Sequence, residues 1–225
     1  MKVGIFSTAA MLGALSLAAS ANAAVIISSA PGAPDPGPAV NENKVITFDP
    51  GGAIPAGVTL TGDYEIVQGS LSGKYATPAL DTSYYLTVPF DSRSGLATMD
   101  FAAFLGNKDV KQFSFYWGSI DTYNSLKLYN RAGVLTQTIT GSMLPPATGD
   151  QGAGLTNRRI TFSLTGADQN LGAIRFTSIG YAFETDSFAF ALAGIPEPST
   201  WGLMIMGFGG AGAMLRSRRR RAITA

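Results

Sequence analysis

Phe113-Ser114-Phe115-Tyr116-Trp117 decides the fold class: Phe113, Phe115 and Trp117 fall on one side, Ser114 and Tyr116 on the other. A period of two is the period of a β-strand. Leu126-Lys127-Leu128-Tyr129 repeats it, and Arg159-Ile160-Thr161-Phe162-Ser163-Leu164 brings Ile160, Phe162 and Leu164 together. Outward from these, short β-branched and aromatic runs alternate with turn clusters. They are Val45–Phe48 before Asp49-Pro50-Gly51-Gly52, Tyr64–Val67, Tyr84–Val88, Ala97–Phe101, Val134–Ile139 after Asn130-Arg131-Ala132-Gly133, Ile174–Phe176 and Ala182–Leu192.

This pattern predicts about nine or ten strands and no amphipathic helix. Clean alternation implies sheets with one packed face and one wet face, hence antiparallel pairing. The expected fold is all-β, an antiparallel β-sandwich of jelly-roll type, with a closed barrel as the second arrangement. No fixed-period repeat points to a propeller or β-helix. Ala147 to Asn157, rich in glycine, predicts a mobile loop.

Composition narrows the chemistry. The 225 residues include neither Cys nor His. Disulfides, thiol nucleophiles, imidazole bases and imidazole metal ligands are therefore excluded. The formal charge of +1 is unevenly placed. From Ala24 to Ile195 there are 10 Lys and Arg against 14 Asp and Glu, so the body carries −4. An acidic body argues against nucleic acid as a partner.

Both ends read as targeting segments. Met1-Lys2 precedes an apolar run from Val3 to Ala19, and Ala21-Asn22-Ala23 fits the A-x-A cleavage pattern. Residues 1–23 are thus expected to be a signal peptide, a helix cut by signal peptidase after Ala23. Four prolines within Pro31–Pro38 make residues 24–42 an expected extended linker ahead of a β-domain at 43–193.

Residues 194–225 carry Pro196-Glu197-Pro198, then Trp201 and an uncharged stretch to Leu215 containing Leu203, Met204, Ile205, Met206, Phe208 and Met214. Arg216, Arg218, Arg219, Arg220 and Arg221 follow. The stretch is shorter than the roughly 20 residues of a full span. Arginine snorkelling and an interfacial Trp201 extend it, so one C-terminal transmembrane helix is expected, with its basic end cytoplasmic.

In order and content this tail resembles the PEP-CTERM sorting signal of Gram-negative bacteria. The resemblance implies that a membrane-embedded exosortase recognises Pro196-Glu197-Pro198 and cuts near it. It also implies transient anchoring in the inner membrane with the body in the periplasm, then release to the cell surface or extracellular matrix. The same tail occurs on some ice-binding proteins. In the body, Phe113 to Leu126 resembles a block of one group of exosortase-dependent surface proteins. Phe183-Glu184-Thr185-Asp186-Ser187-Phe188-Ala189-Phe190 is similar to that group's final strand, although Ser187 stands where Asn often follows the Asp.

Several residues in the body are candidates for a site. Glu184 and Asp186, two apart, share a face with Phe188 and Phe190 in a regular strand, which would aim both carboxylates at the core. Unpaired carboxylates there are costly. A bulge, a basic partner such as Arg175, a place at the rim or a bound cation would resolve this. Calcium is the cation that oxygen ligands would take, with Asp121 and Asn124 contributing. Asp121 and Asn124 also suit Asx turns. Tyr116 and Tyr129 lie out of phase with their apolar neighbours and are candidates for a ligand surface. Thr136, Thr138 and Thr140 alternate in one stretch, a short version of an ice-binding array. The expected function is a non-enzymatic structural or adhesive surface protein, with exopolysaccharide a possible partner and no obligatory cofactor. A glycan- or ice-binding module is the alternative, and a carboxylate-based hydrolase the third reading.

Overall fold

The computed structural model describes residues 26–49, 51–194 and 204–208. Among these, twelve strands run in order: β1 Ile26–Pro31, β2 Lys44–Ile46, β3 Thr59–Gly62, β4 Glu65–Val67, β5 Tyr85–Val88, β6 Gly95–Asp100, β7 Val110–Gly118, β8 Asn124–Asn130, β9 Leu135–Thr140, β10 Arg158–Ser163, β11 Leu171–Ser178 and β12 Phe183–Leu192. They form two antiparallel sheets. The first has the order β1-β10-β7-β12-β5-β4, with β2 also paired to β12, and the second has the order β3-β6-β11-β8-β9. The architecture is a β-sandwich of two separate sheets, not a closed barrel.

Aromatic rings hold the sheets together. Within the first sheet, Phe113 stacks on Phe162 at 4.3 Å and Trp117 on Phe183 at 4.2 Å. From the second sheet, Phe176 meets Phe115, Phe183 and Phe188 edge-on at 6.4, 5.2 and 5.9 Å. Such contacts add to simple burial, which suits a core that has no disulfide to support it.

Each strand read from the sequence appears, with its ends shifted. β1 and β3 were not legible. In β3 only Leu60 is buried, so the run shows no alternation. β1 ends in Pro31 and lies at the sheet edge against β10, where proline is tolerated.

The expected wet face exists on only one sheet. In the second sheet, β8 alternates buried and half-buried residues, and β11 does so along most of its length. In the first sheet, β5 is buried throughout, β7 from Phe113 to Gly118, and β12 everywhere except Ser187 and Leu192. The outer face of this sheet is covered. The Pro-rich stretch expected as a linker is extended, but it lies against the sheet: β1 pairs with β10, and Gly32 N–H donates to Asn157 O at 3.1 Å.

Residues 204–208 form a short, exposed helix, and no helix among the described residues is long and apolar enough to cross a membrane. The expected signal helix, with Ala21 and Ala23, lies outside the described residues. So does most of the expected transmembrane helix: Trp201, Leu203, Met214 and Leu215.

Replacing Phe115 with Ala removes a ring packed against five others. Urea unfolding should show a loss of about 3–5 kcal/mol. Val134→Ala, at an exposed turn, should stay within about 0.5 kcal/mol.

Candidate functional site

The outer face of the first sheet gathers most of the polar residues of interest. The β12–β7 register pairs Glu184 with Gly118 and Asp186 with Tyr116, then resumes at Ala189 with Ser114. Ser187 and Phe188 therefore stand opposite Phe115 alone, which is a β-bulge. Ser187 supplies the extra residue in a left-handed conformation, φ 54°. The bulge resolves the conflict in the sequence. Phe183, Phe188 and Phe190 face the core, while Glu184 and Asp186 face the other way. Arg175, considered as their partner, lies on the second sheet and donates to Thr98 Oγ1 at 3.2 Å.

Two covers close over this face. Residues 31–43 form a strap. Arg159, 4% exposed, holds Asp35 by two bonds, Nε to Oδ1 at 2.9 Å and Nη2 to Oδ2 at 2.5 Å. Its Nη1 donates to Ser114 Oγ at 2.7 Å and Ser187 O at 3.1 Å. Ser114 in turn donates to the buried Glu42 at 2.7 Å. Tyr116, expected at the surface, is fully buried under the strap, and its hydroxyl donates to Gly32 O at 2.8 Å. The face it occupies is covered.

Residues 68–84 form the second cover. Glu184 Oε1 accepts from Ala76 N–H at 3.0 Å, and Oε2 accepts from Ser119 Oγ at 2.9 Å. Asp186 Oδ2 accepts from Ser187 Oγ at 3.1 Å and Ser83 Oγ at 3.2 Å, while Oδ1 is buried without a partner. Burial pushes Glu184 up to about 8, against the pull of its hydrogen bonds from Ala76, Ser119 and its own backbone. Burial likewise pushes Asp186 up to about 7, with the charge of Asp81 adding to it. Asp121 lies just past the end of β7, its carboxylate against Gly149 and near enough to add to the rise at Glu184, and burial raises it too. Among the described residues no group of three or more Asp or Glu is arranged to hold a metal ion. The three carboxylates considered for calcium are not brought together as a ligand set.

Sequence reading missed the polar groups that lock these covers. Asn157 Oδ1 accepts from Ala79 N–H at 2.9 Å and Ser119 N–H at 3.1 Å, tying the cover to the end of β7. The loop read as mobile is anchored at this residue. Asn124, read as a turn residue, is buried and donates to Ala182 O at 3.1 Å. The available signal was Asn157-Arg158-Arg159 leading straight into a strand.

A cleft of about 770 Å³ opens above Glu184, between the 70–75 hairpin, Arg93, Gln151 and Tyr181. On the second sheet, Tyr129 is half-buried beneath Arg175, whose guanidinium lies 4.9 Å from its ring, in a smaller cleft of about 240 Å³. The threonine array is interrupted. Leu128 pairs with Gln137 and Tyr129 with Leu135, so Thr136 is an unpaired extra residue. Its hydroxyl turns back to Leu128 O at 3.3 Å.

The model of the PEP-CTERM protein-sorting motif matches residues 188–220. The chain carries a PEP-CTERM sorting motif. This motif marks an exported protein for exosortase-dependent sorting, with transient membrane anchoring before display at the cell surface. The PEP-CTERM match begins inside β12, at Phe188, and three residues separate the end of that strand, Leu192, from Pro196. Pro196, Glu197, Pro198, Arg216, Arg218, Arg219, Arg220 and Arg221 lie outside the described residues. Met204, Ile205, Met206 and Phe208 are exposed on the short helix. No curated protein matches the chain in sequence. Among solved structures, a similar chain is the C-terminal family 22 carbohydrate-binding module of Clostridium thermocellum Xyn10B. It is 16% identical, covers 70% of this chain and 98% of that one, and has a TM-score of 0.36.

The raised carboxyls set a pH dependence. Above about pH 4 the unfolded chain releases these protons, while the folded protein keeps them until near 8 at Glu184 and near 7 at Asp186. Folding thus holds more protons than unfolding across that window, so stability falls as pH rises and levels off above it. The urea midpoint should drop between pH 5 and pH 8, and Glu184→Gln should flatten the decline. For the strap, Asp35→Asn leaves Arg159 buried with its carboxylate gone. The expected cost is about 1–3 kcal/mol, discounted because Asp35 is partly exposed. Asp109→Asn, which breaks the more exposed Arg131 pair, should cost about 0.5 kcal/mol or less in the same assay.

Proposed function

We propose that this protein is a non-enzymatic surface or matrix protein, exported, anchored for a time in the inner membrane with its body in the periplasm, then released by exosortase. The observation that carries the reading is the sorting motif matched at residues 188–220, which begins within β12 and runs on past the β-sandwich. The order β10-β7-β12-β5 facing β6-β11-β8-β9 supports the jelly-roll reading of that sandwich. A structural or adhesive role suits a body whose buried polar groups serve its own covers. Both oxygens of Glu184 are engaged in holding the 68–84 cover and the end of β7, which supports a role without catalysis.

The open polar cleft above Glu184 favours a second reading, a body that binds glycan. Ice binding gains no such support, because the threonine row on β9 is broken at Thr136.

Mass spectrometry of the exported protein tests the first reading. In a host with exosortase, the mature chain should begin at Ala24, end near Pro196–Pro198 and lack Arg216 to Arg221. An exported chain intact through Ala225 would overturn it.

A further inference from the structure

The cleft above Glu184 has a charge pattern unlike the rest of the body. Lys74 and Arg93 line it, and no carboxylate among the described residues lies within ion-pair distance of either. The Lys74 ammonium rests 3.5 Å from the Phe90 ring centroid. In the smaller cleft on the second sheet the cations have polar partners: Arg131 pairs with Asp109 at 2.8 Å, and Arg175 donates to Thr98 Oγ1 at 3.2 Å. Two cations without an ion-pair partner in one cleft of an acidic body favour an anion there.

The walls are fixed in advance. Leu71 and Tyr75 exchange backbone bonds at 3.0 and 3.1 Å, and Ser70 Oγ accepts from Thr77 N–H at 2.8 Å, which sets the hairpin that carries Lys74. Tyr75 stacks against Phe90 at 6.2 Å. On the other wall, the Asp63 carboxylate accepts from the N–H groups of Phe90, Asp91 and Ser92 at 2.8, 2.7 and 3.1 Å, which fixes the turn leading to Arg93. Ser70, Ser72, Gln151 and Tyr181 add hydroxyl and amide groups to the lining. Neutral hydrogen-bonding groups beside tyrosine rings suit sugar hydroxyls and ring faces, and the two cations suit a carboxylate. At the floor, burial keeps Glu184 protonated near neutral pH, so it does not repel an anion. Asp121, whose field reaches Glu184, is the opposing charge nearby.

We propose that this cleft binds a uronate-bearing polysaccharide, with Lys74 and Arg93 holding a sugar carboxylate and Tyr75 and Tyr181 flanking the chain. The proposal rests on the glycan-binding reading and adds the class of glycan and the residues that select it.

Affinity electrophoresis of the full chain in detergent micelles tests it. The probes are polygalacturonate, alginate, methyl-esterified polygalacturonate with the same backbone but no charge, and polyphosphate as a charge without a sugar. The wild type should be retarded by at least one of the two uronates and by neither control. Lys74→Gln with Arg93→Gln should weaken that retardation at least tenfold. Lys127→Gln, on the second sheet, should leave it unchanged. Equal binding of the methyl ester would overturn the acidic preference while keeping the glycan reading. Equal binding of polyphosphate, or uronate binding that survives the double substitution, would overturn the assigned site. Retardation by none of the sugars would overturn both, without touching the sorting reading.

Discussion

One left-handed residue, Ser187, governs which way the central strand of the molecule faces. Without the bulge, Glu184 and Asp186 would enter the same core as Phe188 and Phe190, where two carboxylates without cationic partners would be prohibitive. With it, Phe183 and Phe188 both reach the aromatic core although they are five positions apart, and the carboxylates turn to the opposite side. A left-handed non-glycine residue costs roughly 1–3 kcal/mol. That cost is small beside the burial of three phenylalanines, each contributing about 1.5–3 kcal/mol or more. Ser187 also uses its own groups, its hydroxyl on Asp186 and its carbonyl on Arg159.

Turning the carboxylates outward creates a second demand, because the face they reach is not left in water. The strap at 31–43 and the cover at 68–84 bury it, so the first sheet has an aromatic interior on one side and a polar interior on the other. The polar interior works by pairing. Arg159 bridges Asp35, Ser114 and the Ser187 carbonyl, Glu42 closes onto Ser114, and Asn157 joins the cover to β7. Burial raises the carboxyls of Glu184 and Asp186, so the remaining excess of negative charge on this face is eased by proton uptake as pH falls. Between the second cover and the 90–93 turn the packing leaves a gap, and that gap is the cleft.

The sandwich was legible where a strand has one dry side. β8 and β11 alternate because water touches them, and their sequences show it. In β7 and β12 the aromatic residues gave the strand away, but burial of both faces left no pattern to show that Tyr116 is covered. Proline hid the strap: Pro31–Pro38 reads as spacer because it can form neither helix nor central strand, yet an extended segment with Asp35 at the right place still packs. The Glu184–Asp186 conflict was visible and named a bulge among its solutions. What the sequence could not supply was long-range pairing, such as Asp35 with Arg159 across 124 positions. Lys74 and Arg93 carried no local signal either, since only the fold places their loops on one cleft.

The position of β12 ties the fold to the sorting motif. β12 lies between β7 and β5, and it also pairs with β2. It is the last strand among the described residues, so until it is delivered β7 and β5 each present an unpaired edge and Phe183, Phe188 and Phe190 are missing from the aromatic core. The sandwich therefore closes only when the residues immediately before Pro196 have been supplied. Three residues then separate the closed sheet from the motif, a span of about 10–13 Å when extended. Among the described residues, Phe190 and Ala191 are the last buried ones of the sandwich and Leu192 packs half-buried against its core, so every described core residue precedes Pro196. Folding and processing thus meet at one point in the chain. Placing the motif after the central strand, rather than after an edge strand, means that the described core is complete only once the chain leading into the motif has been made.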